Sequence, residues 1–183
     1  MSIKTVAIEW TGPYSYDEII EQEYENGVYL LTGSRKGPTK YGILYVGITG
    51  RKFSARLSKA EHDEIDKSIT KNTRQYWIGK SSFLRRSRGK TKSVTFEDVE
   101  HLIIRYLCKN FGENSLINKR KKKSNPPNSV GIINIWKFPS NMTQRQREKH
   151  VAQQNLANII LFDKSSETYY GVKKKNFKFD GDY

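Results

Sequence analysis

Apolar and polar positions alternate over short stretches of this chain and give way to helical spacing between them. Residues 28–32 (VYLLT) and 43–49 (ILYVGIT) are rich in β-branched and aromatic side chains and read as strands. The polar segment SRKGPTKYG joins them, which predicts a β-hairpin with a long loop. Before it, residues 16–26 (YDEIIEQEYEN) read as a short acidic helix ending near Asn26 and Gly27. After it, Phe53, Leu57, Ala60 and Ile65 recur near helical spacing and predict a helix over 53–69. Residues 74–84 are expected to add a third strand. A second helix is expected over 95–110, with Thr95 as cap and Asp98 as the acid three residues on. NPPNS at 125–129 breaks the chain. A strand over 130–138 and a helix over 143–160 follow, and 169–179 reads as an edge strand or a loose basic tail.

Composition narrows the class. At 183 residues one domain with extensions is expected, and only 36% of residues are hydrophobic, so the surface must be very polar. The single cysteine, Cys108, excludes an internal disulfide or a cysteine-rich zinc cluster. No apolar run approaches the ~18 residues of a membrane span. The first nine residues, interrupted by Lys4 and Glu9, do not form a signal peptide. The expected location is the cytoplasm, with no membrane partner.

Charge points to the partner. The formal net charge is +14, from 33 Lys and Arg against 19 Asp and Glu, which suits a polyanion. It is unevenly spread. Residues 1–31 are acidic, 71–92 hold eight bases and no acid, 93–118 are mildly acidic, and 119–123 are all basic. Two basic blocks thus flank an acidic island, the layout of a protein that holds phosphates and, between them, a metal. Arg74, Lys80, Arg85, Arg86 and Arg88 in the first block, and Lys119, Arg120, Lys121, Lys122 and Lys123 in the second, are the expected DNA-backbone contacts. Tyr76, Trp77 and Phe83 could stack on bases, although core packing suits them as well.

Helix arithmetic singles out one carboxylate. At ~100° per residue, Glu100 falls among Phe96, Val99, Ile103, Ile104, Leu107 and Phe111, inside the apolar face. A carboxylate there must be paired or bind a metal. Glu97 lies at the edge of that face and Asp98 on its wet side. The alternative for Glu100 is a buried ion pair with Arg56.

The hairpin reads Gly27-Val28-Tyr29 and then Tyr45-Val46-Gly47; Arg56 follows on the next helix, Glu100 on the second, and Leu116-Ile117-Asn118 beyond it. This ordered set, spanning roughly 27–123, resembles the GIY-YIG nuclease family. The resemblance implies an α/β (α+β) fold: a small antiparallel three-stranded sheet flanked by helices. It leaves an acidic N-terminal extension at 1–26 and a C-terminal strand–helix extension at 124–183, packed on the same domain. It also implies a divalent-metal-dependent DNA endonuclease, with Glu100 holding Mg²⁺ (or Mn²⁺). Arg56 then clamps the scissile phosphate, Tyr29 with Tyr45 or His62 activates water, and Asn118 fixes a loop near the metal. Strand aromatics packed in the core are the alternative for the two tyrosines, and a turn residue is the alternative for Asn118.

One position departs from the family pattern. Many members carry a histidine four residues after the arginine, where this chain has Ala60. His62 lies ~120° from Arg56 on an ideal helix and reaches the site only if the helix is short or bends. His101 reads as a surface residue, and nothing gathers around His150. GSRKGPTK lacks the spacing of a phosphate loop. A stand-alone restriction-type enzyme is the expected role, with a homodimer as one route to cutting both strands. The runner-up is a related module that binds nucleic acid without cutting it, and a structural basic protein on RNA is a third option.

Overall fold

A computed structural model describes residues 3–35, 41–57, 68–81 and 94–173. Its centre is one seven-stranded mixed sheet. The strands are β1 (Lys4–Tyr14), β2 (Glu25–Gly33), β3 (Gly42–Lys52), β4 (Gln75–Lys80), β5 (Val130–Lys137), β6 (Ile159–Asp163) and β7 (Thr168–Val172), in the order β3-β2-β4-β1-β5-β6-β7. The helices are α1 (Tyr16–Ile20), α2 (Phe53–Arg56), α3 (Phe96–Phe111), α4 (Gln144–Lys149) and α5 (Val151–Asn155). No helix among the described residues is long and apolar enough to cross a membrane.

The small three-stranded sheet expected from the sequence is therefore corrected. β2 does pair antiparallel with both β3 and β4. The ladder then continues: β1 pairs antiparallel with β4 and parallel with β5, and β6 and β7 add antiparallel to the far side. The residues assigned to an acidic extension supply the strand at the sheet's interior. Val6, Ile8 and Trp10 carry the reason: they alternate along β1 and pack against the core under α3, while Lys4 and Thr5 stay exposed.

Alternation also divides the core. On β2, Val28 and Leu30 join the cluster under α3, and Tyr29 and Leu31 point into a second cluster with Ile19, Phe53, Ile69 and Ile78. With both faces covered, β2 is buried from Gly27 to Gly33.

α3 begins at the expected cap. Thr95 accepts from the Asp98 N–H, and the Asp98 carboxylate accepts from the Thr95 N–H, closing a capping box. This work buries Asp98, which helical angles had put on the wet side. The C-terminal helix is shorter than the spacing suggested. His150 leaves the helical region at φ −68°, ψ 130° and separates α4 from α5. Residues 159–163 (IILFD) are then a strand, as their β-branched and aromatic side chains prefer. Of the helix expected over 53–69, α2 is its first turn; residues 58–67 lie outside the described residues.

Candidate functional site

The hairpin brings Tyr29 and Tyr45 together. Leu31 pairs with Tyr45 but Thr32 pairs with Ile43, so Leu44 is the extra residue of a β-bulge. The two tyrosine rings stack with centroids 5.8 Å apart, and the edge of Phe53, the first residue of α2, closes on Tyr29 at 6.0 Å. Two glycines make the room. A Cβ on Gly47 would lie 2.5 Å from the Tyr29 hydroxyl, and one on Gly27 would lie 2.7 Å from the Gly79 carbonyl and 3.2 Å from Phe53. The flanking glycines of the GVY and YVG triplets are thus required by close approach of a phenol and of a neighbouring strand.

The phenols are electrostatically coupled to each other and to Arg56. Burial raises Tyr29 well above the ordinary tyrosine value, its neighbour Tyr45 raises it further, and the Arg56 cation opposes this. Burial also raises Tyr45, and its hydrogen bonds to Tyr29 and Arg56 act the other way. The stacked phenols therefore lie within reach of each other's fields and of the Arg56 cation. Both phenols stay protonated at neutral pH. The Glu100 charge is felt at both rings, raising each. Tyr29, Tyr45, Arg56 and Glu100, from β2, β3, α2 and α3, thus form one electrostatic group.

Glu100 is paired, as its place on the apolar face requires, with Lys121 in place of the Arg56 alternative. Its Oε2 receives the ammonium of Lys121, with the two side chains 14% and 28% exposed. One turn earlier Glu97 keeps a carboxylate oxygen buried without a hydrogen-bond partner. Among the described residues no three His, Cys, Asp or Glu side chains gather as a metal cage. A single carboxylate still suits Mg²⁺, which keeps several waters and commonly takes one or two carboxylates plus a substrate phosphate. The Glu100 carboxylate, one turn from Glu97 on the same helix, suits such an ion.

Asn118 is buried and spends its whole amide on β3. Its Oδ1 accepts from the Val46 N–H at 3.0 Å and its Nδ2 donates to the Val46 carbonyl at 2.7 Å. The preceding Ile117 N–H donates to the Leu44 carbonyl at 2.7 Å, on the bulge. This segment covers the outer edge of the terminal strand and anchors the basic run beside Tyr45.

The basic run is split by direction. Lys122 donates to the carbonyls of Glu113 and Leu116, and Lys121 turns to Glu100, so neither is placed as a phosphate contact. Lys119, Arg120 and Lys123 are exposed. Arg105 donates to the Lys122 carbonyl at 2.6 Å, and His101 meets the Ser124 carbonyl at 2.9 Å; both staple the run to α3, so His101 is more than a surface residue. Lys80 sits 2.8 Å from the centroid of the Tyr24 ring, and its pKa is lowered by burial. Arg74 is half-buried at the start of β4. His62, Arg85, Arg86 and Arg88 lie outside the described residues. Trp77 is fully buried against Trp136 and Phe138, and Tyr76 is buried too, so neither is available for stacking on bases.

Sequence reasoning missed the inward turn of Lys121. Nothing in KRKKK separates the third residue from its neighbours; the signal is the left-handed backbone at Lys121, φ 65°, which only the fold reveals. Compared with protein-family models, with curated proteins and with solved structures, the chain matches none.

Proposed function

We propose that this chain is a divalent-metal-dependent DNA endonuclease of GIY-YIG type. The observation that carries the reading is the stack of Tyr29 on Tyr45 against Phe53 at the start of α2, with the charges of Arg56 and Glu100 acting on both phenols. Arg56 keeps its charge at any relevant pH and offers planar donors to phosphate oxygens. It holds the scissile phosphate where its charge grows during attack. Tyr45, held by its stack on Tyr29, orients the attacking water or a phosphate oxygen with its own O–H. Tyr29 is the positioning phenol, since burial holds its proton firmly. Glu100 would hold the divalent ion, which when bound supplies Lewis-acid stabilisation of the departing oxygen. Lys119, Arg120 and Lys123 supply salt-sensitive backbone affinity.

The alternative is a relative that binds nucleic acid without cutting it, favoured by Ala60 where a histidine is common. A plasmid-nicking assay with Mg²⁺, and with EDTA, separates the two. Arg56→Ala and Glu100→Ala are expected to lower cleavage at least about a hundredfold while leaving DNA binding largely intact. Equal cleavage by all three proteins defeats the assignment of these residues, and no cleavage by wild type at any Mg²⁺ concentration favours the binding module.

A further inference from the structure

The ammonium of Lys121 sits on the carboxylate that the nuclease reading gives to a metal. The contact is largely shielded from water, with 28% of the lysine side chain and 14% of the glutamate side chain exposed. Ion pairs so placed are screened less than those at an open surface. The lysine is aimed there by its backbone. Lys121 holds φ 65°, a region that disfavours residues with a Cβ, and its Nζ also reaches the Glu97 carbonyl at 3.5 Å.

The surrounding loop leaves it little choice. Lys122 is tied to the carbonyls of Glu113 and Leu116, Arg105 holds the Lys122 carbonyl, and His101 holds Ser124. Asn118 pins the start of the same run to Val46. Between these fixed points Lys121 faces α3; two residues on, Lys123 faces outward with its side chain 85% exposed and its Nζ 3.9 Å from Glu113.

A divalent cation needs the same carboxylate, and a cation already there repels it. We propose that Lys121 is a built-in competitor for the divalent ion at Glu100, seated on the carboxylate while the metal is absent and displaced when it loads. The inference rests on the metal-site reading of Glu100. It accounts for how a half-buried carboxylate without a metal is kept neutralised, which a lone glutamate would not manage. The flexible four-carbon stem of lysine suits a cation that must leave; arginine would hold the carboxylate in a fork.

Two measurements on the full chain test it. The first is Mn²⁺ binding followed by electron paramagnetic resonance on wild type, Lys121→Met and Glu100→Gln. Removing the ammonium is expected to tighten Mn²⁺ binding roughly five- to tenfold, the equivalent of one partly shielded ion pair, and Glu100→Gln is expected to abolish that binding. The second needs no variant: brief acylation of lysines in wild type with and without Mg²⁺, read by mass spectrometry. Mg²⁺ is expected to raise modification of Lys121 several-fold relative to Lys123, and this readout decides if Lys121→Met does not fold. Glu100-dependent Mn²⁺ binding that Lys121→Met leaves unchanged or weakens, or a Lys121/Lys123 ratio indifferent to Mg²⁺, overturns the competition and leaves the metal site standing. Mn²⁺ binding that Glu100→Gln does not alter removes the metal site and the competition together.

Discussion

Asn118 pairs with both backbone groups of Val46, donating to its carbonyl and accepting from its N–H, and so acts as one residue of an eighth strand at the edge of the sheet. The neighbours of Val46 in the chain are Tyr45, in the phenol stack, and Gly47, against Tyr29. An amide 72 residues away in sequence therefore sets the position of the site's outer wall.

Asn118→Ala is expected to destabilise the fold by about 1–3 kcal/mol, since two hydrogen bonds to a buried partner are lost. Asn118→Asp should also destabilise, because a carboxylate can accept from the Val46 N–H but cannot donate to its carbonyl. Urea denaturation at pH 7 checks both, and a wild-type midpoint for Asn118→Ala would show that the clamp contributes nothing.

Gly47→Ala places a methyl group 2.5 Å from the Tyr29 hydroxyl, so the phenol must move. The expected cost is about 1–3 kcal/mol of stability, as for other overpacked sites. Nicking activity should fall at least about tenfold, because Tyr29 is pushed out of its stack on Tyr45. The control is Gly112→Ala at the end of α3, where a Cβ meets nothing within 4 Å. Its backbone φ of 86° predicts some loss of stability without loss of activity per folded molecule. Activity retained in Gly47→Ala would exclude Tyr29 from the positioning role.

His150 gives the fold an acid limit. Its ring lies 4.9 Å from the Trp77 ring, its Nε2 is 3.1 Å from Gln75 Oε1, and burial pushes its pKa down to about 4. The unfolded chain takes up this proton near pH 6.5 and the folded chain near 4, so between them the unfolded state binds more protons. Stability from this residue is therefore complete above pH 6.5, is lost as the pH falls through that interval, and levels off below about 4. Partial exposure of the ring reduces the effect. Urea midpoints at pH 7, 5.5 and 4.5 should decline for wild type and decline less for His150→Gln. A residual slope is expected from His101, which burial also lowers. Identical slopes in the two proteins would exclude His150 as the source.

Local signals in the sequence carried the parts of the fold that local chemistry decides. The β-branched runs on either side of the loop made the β2–β3 hairpin readable, and Thr95 with Asp98 marked the start of α3 to the residue. Val6, Ile8 and Trp10 carried an equally regular alternation. The charges at Lys4 and Glu9, and the acids that follow, led to an extension where the fold has an interior strand. The short apolar run at 159–163 is ambiguous between helix and strand by spacing alone, and pairing with β5 decides it. Within the site, Glu100 was legible as a carboxylate needing a partner. That the partner is Lys121 and not Arg56 depends on the backbone of a loop fixed by Asn118, Lys122, Arg105 and His101, which no spacing encodes.

The place of β1 in the sheet has a bearing on how the molecule is made. Of the seven strands β1 comes earliest in the sequence, yet Lys4 waits for Val130 and Thr11 for Lys137 before its parallel ladder can form. Contacts so distant along the chain slow folding, whereas the hairpin of β2 and β3 needs only its own loop to close. Until residues 130–137 arrive, one edge of this aromatic-bearing strand is left without its parallel partner, and chaperone dependence should concentrate on residues 4–14.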